Sequence, residues 1–324
     1  METWLRSYSA PHGAPTERLI CFPHAGGTAH AFRGWPQRMP AGVETVVVQY
    51  PGRQDRLSER CLEDIDAMAD ALVSELADLT DLPMSMFGHS MGSAVAYEVA
   101  LRLERDLGFL VDTVFVSGRT APHRRHGEDD HRLGDEDLVA AMRRLGGGDD
   151  DVYRNPKLWP LILPPLRSDL RLLDAYRPVT LTSLQAGFVA FGGQADQTCP
   201  VADLHAWTAA TTGDLEIRTF PGGHHYLVAA EAEVVAAVVS RLATRPPLTA
   251  TEQDVVDIWA EHLGISGIGV DDDFFSLGGH SLVGMKILDD IDRRHHVEIS
   301  PVEFYLRPTP AALAARIRQS IGTP

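Results

Sequence analysis

Short apolar runs alternate with helical patterns through most of this chain, and this alternation constrains its fold more than any other feature. The pattern is typical of a parallel β-sheet covered by helices on both faces, and it predicts an α/β fold. Each run ends at a glycine or proline cluster, and open α/β sheets place their chemistry in the loops at these strand ends. The predicted strands are 19–22, 45–49, 84–87, 113–116, 187–191 and 216–220.

The pattern changes over residues 119–180. Acidic stretches, adjacent glycines and amphipathic pieces there predict a helical cap inserted over the sheet. A helix over 227–242 would close this large domain, which we expect to span 1–243. Two adjacent prolines then stop the helix and favour an extended backbone, so 244–250 is predicted to be a linker.

The C-terminal residues, 251–324, show no strand alternation and predict a small all-α domain of four helices. A chain of 324 residues is long enough for one large and one small domain. Two apolar stripes at helical spacing are expected to face the small core: Val255, Ile258, Trp259 and Leu263, and Leu282, Met285, Leu288 and Ile291.

Charge and hydropathy exclude several classes of partner. The formal net charge of −16 repels phosphate backbones and anionic membrane surfaces, so neither nucleic acid nor a membrane is an expected partner. No apolar run approaches the ~20 residues that a membrane helix needs, and the start of the chain lacks a signal-peptide pattern, so we expect a cytoplasmic location. Cys21, Cys61 and Cys199 match neither a disulfide framework nor a zinc pattern, so no metal is expected.

The segment Gly88-His89-Ser90-Met91-Gly92 fits the pattern G-x-S-x-G between a predicted strand and a helical pattern. In the α/β-hydrolase fold this turn carries a serine nucleophile. A strand that turns sharply into a helix would hold Ser90 in a strained backbone conformation, and the flanking glycines avoid collisions there. The helix N-terminus and the Met91 N–H would stabilise a developing oxyanion.

A serine nucleophile needs an imidazole base that a carboxylate orients, and in this fold the chain order is Ser, Asp, His. Asp196 and His224 follow the last two predicted strands and supply both groups. Asp203 is the substitute candidate for Asp196, and His225 is the rival of His224. We favour His224 because it directly follows two glycines, which leave its side chain free to be aimed.

The second oxyanion donor is expected from the loop after the first core strand, 22–27, where glycines let the backbone approach a substrate. The N–H of Ala25 is the preferred donor. His24, in the same loop, is interpreted as a packing residue rather than as a second base.

Several motifs in the same order mark a family resemblance. They are 22–27, Tyr50-Pro51-Gly52-Arg53 with Arg56, 88–92, Ser117-Gly118-Arg119 with Ala121-Pro122, Leu166-Arg167-Ser168-Asp169 with Tyr176, and Gly222-Gly223-His224. Residues 17–240 thereby resemble the type II thioesterases of nonribosomal peptide and polyketide synthesis. The resemblance implies a Ser90, Asp196, His224 triad beneath a mobile cap, and hydrolysis of acyl or aminoacyl groups from phosphopantetheine. It leaves two roles open for Arg53, Arg56 and Arg119: contact with substrate or carrier phosphate, or structural salt bridges.

A second motif, 273–282, lies just before a helical pattern and resembles the attachment site of peptidyl carrier domains. Its two glycines form an accessible loop, and Ser281 would hold a phosphodiester at a helix N-terminus. Phe274 and Phe275 are expected to anchor the loop in the core. The resemblance implies a covalent 4'-phosphopantetheine on Ser281, added by a phosphopantetheinyl transferase; the alternative is a simple helix-capping serine.

Together the motifs predict a serine thioester hydrolase joined to a carrier domain. It would release groups from Ser281 in cis, from other acyl or aminoacyl carrier domains in trans, or from both. No adenylation domain is recognisable, so a trans-acting adenylation or loading enzyme is expected. One alternative is an acyltransferase that passes the group from Ser90 to an amine, an alcohol or another carrier. The other is a non-catalytic scaffold that presents a tethered amino acid to tailoring enzymes.

Overall fold

A computed structural model of the chain places two compact units, Met1–Ala243 and Thr244–Pro324. The residues that it describes are 4–8, 15–124, 129–146, 150–178, 180–243, 250–265, 268–270 and 272–321. The predicted linker, 244–250, lies outside the described residues except for its last residue, where a helix begins.

In the part of the first unit that the structure describes, the strands form one seven-stranded sheet in the order β1-β3-β2-β4-β5-β6-β7. Strands β2 to β7 are parallel to one another, and β1 joins the edge antiparallel to β3. The strands are β1 (Leu5–Ser7), β2 (Glu17–Phe22), β3 (Val43–Val48), β4 (Met84–His89), β5 (Thr113–Ser117), β6 (Gly187–Gly193) and β7 (Leu215–Phe220). All six predicted strands are present, and the prediction of an α/β fold is confirmed.

Helices cover both faces of the sheet, because neighbouring residues of a strand point to opposite sides. Ile20 and Phe22 pack in one apolar cluster with helices α1 (Ile65–Leu76) and α2 (Met91–Arg102). Leu19 and Cys21 pack in the opposite cluster with α7 (Glu231–Ala243). A one-turn helix, α6 (Tyr226–Ala229), precedes α7, so the continuous helix predicted over 227–242 is in fact divided at Ala230.

Between β5 and β6 lie the helices of the cap, which are α3 (Asp135–Leu145), α4 (Asp150–Arg154) and α5 (Trp159–Ala175). Four of their residues form a separate apolar cluster: Leu138, Val139, Leu163 and Leu166. Ala25, from the loop after β2, packs against this cluster. The cap is therefore in direct contact with a loop at the carboxyl edge of the sheet.

Among its described residues the second unit contains four helices, as predicted: α8 (Ala250–Leu263), α9 (Ser281–His295), α10 (Pro301–Leu306) and α11 (Pro310–Ile321). The first predicted apolar stripe is correct, since Val255, Ile258 and Trp259 are fully buried and Leu263 is partly buried. The second stripe is only half correct. Helix α9 buries Gly284, Ile287, Leu288 and Ile291.

Three apolar residues expected in this small core are exposed instead. Leu282 is 64% exposed, Met285 is 42% exposed, and Phe275 is 49% exposed beside the buried Phe274. The reason is the phase of α9: its buried stripe runs from Gly284 through Ile287, which turns Leu282 and Met285 away from the other three helices.

Within the part of the chain that the structure describes, no helix combines the length and apolar character needed to cross a membrane.

Candidate active site

The turn between β4 and α2 places Ser90 at the carboxyl edge of the sheet with φ 53° and ψ −115°. Positive φ is costly for a residue with a side chain, so the neighbours must hold this conformation in place. Gly92 has to be glycine, because a Cβ there would lie 2.0 Å from the Phe22 carbonyl oxygen. A Cβ at Gly88 would lie 2.2 Å from the Gly92 carbonyl oxygen.

Hydrogen bonds fix this turn to the end of β5. The Ser90 N–H donates to the Ser117 carbonyl at 2.7 Å. The Ser93 hydroxyl donates to the Gly88 carbonyl at 2.8 Å and accepts from the Ser117 N–H at 3.0 Å. Strands β4 and β5 and helix α2 thus hold Ser90 in place. The sequence motifs had identified only the glycines of this turn.

Asp196 and His224 meet at the ends of β6 and β7, with 2.8 Å between Asp196 Oδ2 and His224 Nδ1. The Asp196 side chain is 1% exposed and that of His224 is 9% exposed. Burial raises the pKa of the Asp196 carboxyl, but hydrogen bonding and charge attraction from His224, with hydrogen bonds from Thr198, outweigh it and hold the pKa below its usual value. Asp196 is therefore an anion at neutral pH.

Thr198 is a site residue that the sequence analysis missed. Its N–H and its hydroxyl donate to Asp196 Oδ1 at 2.9 and 2.7 Å, and its hydroxyl lies 3.0 Å from His224 Nδ1. The Cys199 N–H also donates to Asp196 Oδ1, at 3.2 Å. A hydroxyl residue two positions after an aspartate in a turn was the available signal.

The two rival candidates take other positions. The carbonyl of Asp203 accepts a hydrogen bond from the Thr120 hydroxyl, and Asp203 lines the cavity described next. The ring of His225 packs edge-on against that of His24, with 4.9 Å between their centroids.

Ser90, Asp196 and His224 line one cavity of about 900 Å³. Ala25 lines it from the loop after β2, and Arg119 from the loop after β5. The cap contributes the apolar residues Met142, Leu145, Leu170 and Leu173 and the charged residues Arg144 and Asp174. The cavity joins a polar end at the strand edges to a mainly apolar wall under the cap, which is suited to a substrate with a reactive polar group and an apolar body.

Three further imidazoles surround His224. Burial, with repulsion from His224 and Arg53, lowers the pKa of His24 to about 4, and burial with repulsion from His24 and His224 lowers that of His225 to about 2. Burial also lowers the pKa of His89, whose Nδ1 lies 2.9 Å from the Ser117 hydroxyl. All three are neutral at pH 7, so they pack around His224 without adding charge.

The arginines of the resemblance motifs divide into two groups. Arg53 forms a buried bidentate pair with Asp169, and Arg56 pairs with Glu59 at 2.5 Å, so both have structural ion pairs. Arg119 lines the cavity, and burial lowers its pKa to about 10, which still leaves it charged at neutral pH.

Among the described residues, one group of side chains has the spacing of metal ligands: Asp129, His131 and Asp174 lie within 4.8 Å of one another. Asp174 pairs with Arg177, and Asp129 is exposed and pairs with Arg132. No feature of the serine site requires this group.

In the second unit, Ser281 is the first residue of α9 and is exposed. Gly278 before it has φ 86°, and a Cβ at Gly279 would lie 2.4 Å from the Phe274 ring, so both glycines are needed for this loop. The helix N-terminus gives the Ser281 position free N–H groups that favour a phosphate.

The turn at Ser90 and the Asp196–His224 pair at neighbouring strand ends define a serine hydrolase of the α/β-hydrolase fold. Comparison with known families gives the particular family: residues 17–245 match the Thioesterase domain, and residues 253–317 match the phosphopantetheine attachment site. The chain belongs to the thioesterase family, and it carries a domain of the type that bears covalent phosphopantetheine.

Similar proteins include other thioesterases. The chain is 39% identical over 224 residues to the probable cadicidin biosynthesis thioesterase of Streptomyces griseus, covering 69% of this chain and 62% of that relative. It is 36% identical over 227 residues to the thioesterase PikA5 of Streptomyces venezuelae, covering 69% and 80%. The structure of the type II thioesterase BorB from the borrelidin biosynthetic cluster matches with a TM-score of 0.69 and 36% identity, over 75% of this chain and 99% of that one.

These findings confirm the predicted resemblance and enzyme class. The chain is a thioester hydrolase of the kind found in nonribosomal peptide and polyketide biosynthesis, and its carrier domain implies carrier-protein partners. The cytoplasmic location stays a prediction of the sequence.

The contacts of Thr198 lead to a first prediction. Thr198→Val removes the hydroxyl that bonds to Asp196, and a hydrogen bond to a charged group contributes about 1.5–3 kcal/mol, so kcat should fall on the order of 10-fold or more. Thr198→Ser keeps the hydroxyl and should retain activity near that of the wild type. Steady-state hydrolysis of an acyl-pantetheine thioester measures both; equal kcat for the valine and serine variants would contradict the role.

The neutral imidazoles lead to a prediction on pH. The pKa of both histidines is near 6.5 in the unfolded chain, whereas in the folded chain it is about 4 for His24 and about 2 for His225. Their neutral forms therefore stabilise the folded state fully above about pH 6.5, and this stabilisation is lost as the pH falls. The free energy of unfolding at pH 5 should therefore be lower than at pH 7 by about 2 kcal/mol for each histidine. Urea unfolding of His24→Gln should show a smaller loss than the wild type; an identical loss would exclude His24 as a contributor.

Proposed function

We propose that this chain hydrolyses acyl or aminoacyl thioesters on the phosphopantetheine arms of carrier domains, with Ser90 as nucleophile, His224 as base and Asp196 as the group that orients the base. The observation that carries this proposal is the 2.8 Å contact between Asp196 and His224 Nδ1, in a cavity that Ser90 also lines. Because Asp196 occupies Nδ1, the other ring nitrogen of His224 is free to accept the serine proton.

The reaction proceeds in two halves. Ser90 Oγ attacks the thioester carbon and gives its proton to His224 Nε2; the tetrahedral intermediate then expels the pantetheine sulfur, which takes that proton. Water next attacks the acyl-Ser90 ester, with His224 removing its proton and returning it to Ser90. The products are the free acid, the free thiol and the unmodified enzyme.

The backbone N–H groups of Met91 and Ala25 are the proposed donors to the oxyanion in both halves. Met91 is the first residue of α2, where N–H groups lack partners within the helix. In the loop after β2, the Gly26 N–H already donates to Asp169 and the Gly27 N–H to the His24 carbonyl. Neither is available to a substrate, which supports Ala25 as the donor from this loop.

For the domains we propose a thioesterase domain over 1–243 with its cap at about 119–180, a linker at 244–250 and a carrier domain over 251–324. Exposure of Ser281 at the start of α9, in the segment that matches the attachment-site family, supports this serine as the acceptor of 4'-phosphopantetheine. A phosphopantetheinyl transferase would add the arm, and a trans-acting adenylation or loading enzyme would charge it. Release would then occur from Ser281 in cis, from other carriers in trans, or from both.

Intact-mass measurement tests the function directly. The phosphopantetheinylated chain is loaded with a panel of acyl and aminoacyl groups, and loss of each group is followed over time. We expect the native chain to shed the group as free acid and Ser90→Ala to retain it, because no nucleophile replaces the missing hydroxyl. Ser281→Ala is the matched control: it should carry no arm, yet hydrolyse thioesters on a separate carrier domain.

The outcomes separate the alternatives. Release by Ser90→Ala at the native rate would contradict the assignment of the nucleophile. Release that requires an added amine, alcohol or thiol, and that gives the corresponding adduct, would show an acyltransferase. Stable loading of the native chain, with no release from separate carriers, would show a scaffold.

A further inference from the structure

Cap helix α5 makes a buried polar contact with the loop after β2. Asp169 is fully buried on this helix, and its Oδ2 accepts a hydrogen bond from the Gly26 N–H at 2.7 Å. Gly26 directly follows Ala25, the proposed oxyanion donor. The Asp169 carboxylate of the cap is thus bonded to the residue that directly follows the proposed oxyanion donor.

The same carboxylate is fixed by Arg53. Its two guanidinium nitrogens Nη1 and Nη2 donate to Asp169 Oδ2 and Oδ1 at 2.6 and 2.8 Å, and Nη1 also donates to the Gly27 carbonyl at 3.3 Å. Burial lowers the pKa of Arg53, but Asp169 outweighs this effect and keeps the pKa raised. Asp169 therefore holds the loop at the Gly26 N–H, and Arg53 holds it at the Gly27 carbonyl.

Apolar packing from α5 acts at the same place. A Cβ on Gly26, which has φ 72°, would lie 3.2 Å from Leu166 Cδ1, so this leucine already fills the space beside the glycine. Leu166 also belongs to the cap cluster against which Ala25 packs. Helix α5 thus makes both a polar and an apolar contact with this loop.

We propose that Asp169 is a positioning residue that aims the Ala25 N–H at the oxyanion, so that the oxyanion hole is complete only while α5 is packed on this loop. The inference rests on the proposed function, since it assigns a task to the Ala25 N–H. If α5 moved away, the Gly26 N–H and the Arg53 guanidinium would lose their shared buried partner, and both groups would have to find others. The loop would then rearrange, and the Ala25 N–H would turn with it.

The motif Leu166-Arg167-Ser168-Asp169 belongs to the family resemblance, but its pattern alone indicates no chemical role. Leu166 and Asp169 lie in the cap, away in the sequence from the serine, the aspartate and the histidine, yet both contact the oxyanion loop. The activity of the enzyme would thereby depend on whether helix α5 is packed against this loop.

Two double variants isolate the contact with Gly26. Arg53→Met with Asp169→Leu removes both charges, so no unpaired charge stays buried, but it leaves the Gly26 N–H without an acceptor. Arg53→Met with Asp169→Asn also removes both charges but keeps a carbonyl oxygen at the same place. Arg171→Gln is the control on the same helix, because Arg171 forms a half-exposed pair with Glu63 at 2.9 Å.

With an acyl-pantetheine thioester as substrate, we expect kcat of the leucine variant to fall on the order of 10- to 100-fold, since loss of an oxyanion donor costs about 100-fold or more. KM should change little, because the oxyanion forms after the substrate binds. An alkyl boronic acid that forms a negatively charged adduct with Ser90 should bind more weakly by the same factor as kcat falls. The asparagine variant and Arg171→Gln should remain within a few-fold of the wild type.

Equal kcat and boronate affinity in the leucine and asparagine variants would overturn the inference. If the leucine variant does not fold, Asp169→Glu replaces it: this change keeps the charge for Arg53 but displaces the carboxylate from Gly26, and wild-type kcat there would also overturn it. The proposed function fails separately, if wild-type enzyme and Ser90→Ala hydrolyse the thioester at the same rate. Full activity of the leucine variant beside an inactive Ser90→Ala would leave that function intact and remove only the role of Asp169.

Discussion

The site depends on one constraint, the strained backbone of Ser90 where β4 turns into α2. A side chain at φ 53° costs on the order of 1–3 kcal/mol, and it persists only where the surroundings permit no other conformation. Here the close approach of Gly88 to Gly92, and of Gly92 to β2, leaves no room for relaxation. The parallel sheet supplies this rigidity, and it also brings Asp196 and His224 to the same edge from two later strands.

Burial and hydrogen bonds together set the charges of the side chains around this turn. The imidazoles near His224 are kept neutral, and Asp196 is kept ionised by hydrogen bonds from Thr198 and His224. The buried pair of Arg53 and Asp169 joins the cap to the core. Removing one partner of such a pair typically destabilises a protein by about 3–5 kcal/mol, so the pair anchors the cap as well as the loop that it contacts.

The sequence predicted features whose signal is local. Alternating patterns identified six strands, and the glycines around Ser90 marked the turn because only glycine fits there. Strand β1 was missed because its three residues, none of them buried, carry no periodic signal. Arg53 and Asp169 are 116 residues apart, so their pairing exists only once the cap has folded. Leu282 and Met285 were misplaced because apolar residues at helical spacing do not reveal which face of α9 meets its neighbours.

We infer that the surroundings of Ser90 activate its hydroxyl as a nucleophile. Reaction of the folded chain with an alkyl fluorophosphonate, followed by peptide mass mapping, tests it most directly. We expect a single phosphonyl adduct on Ser90, formed slowly or not at all after His224→Ala, with Ser281 unmodified. Modification at a different residue, or no modification of the folded protein at all, would contradict it.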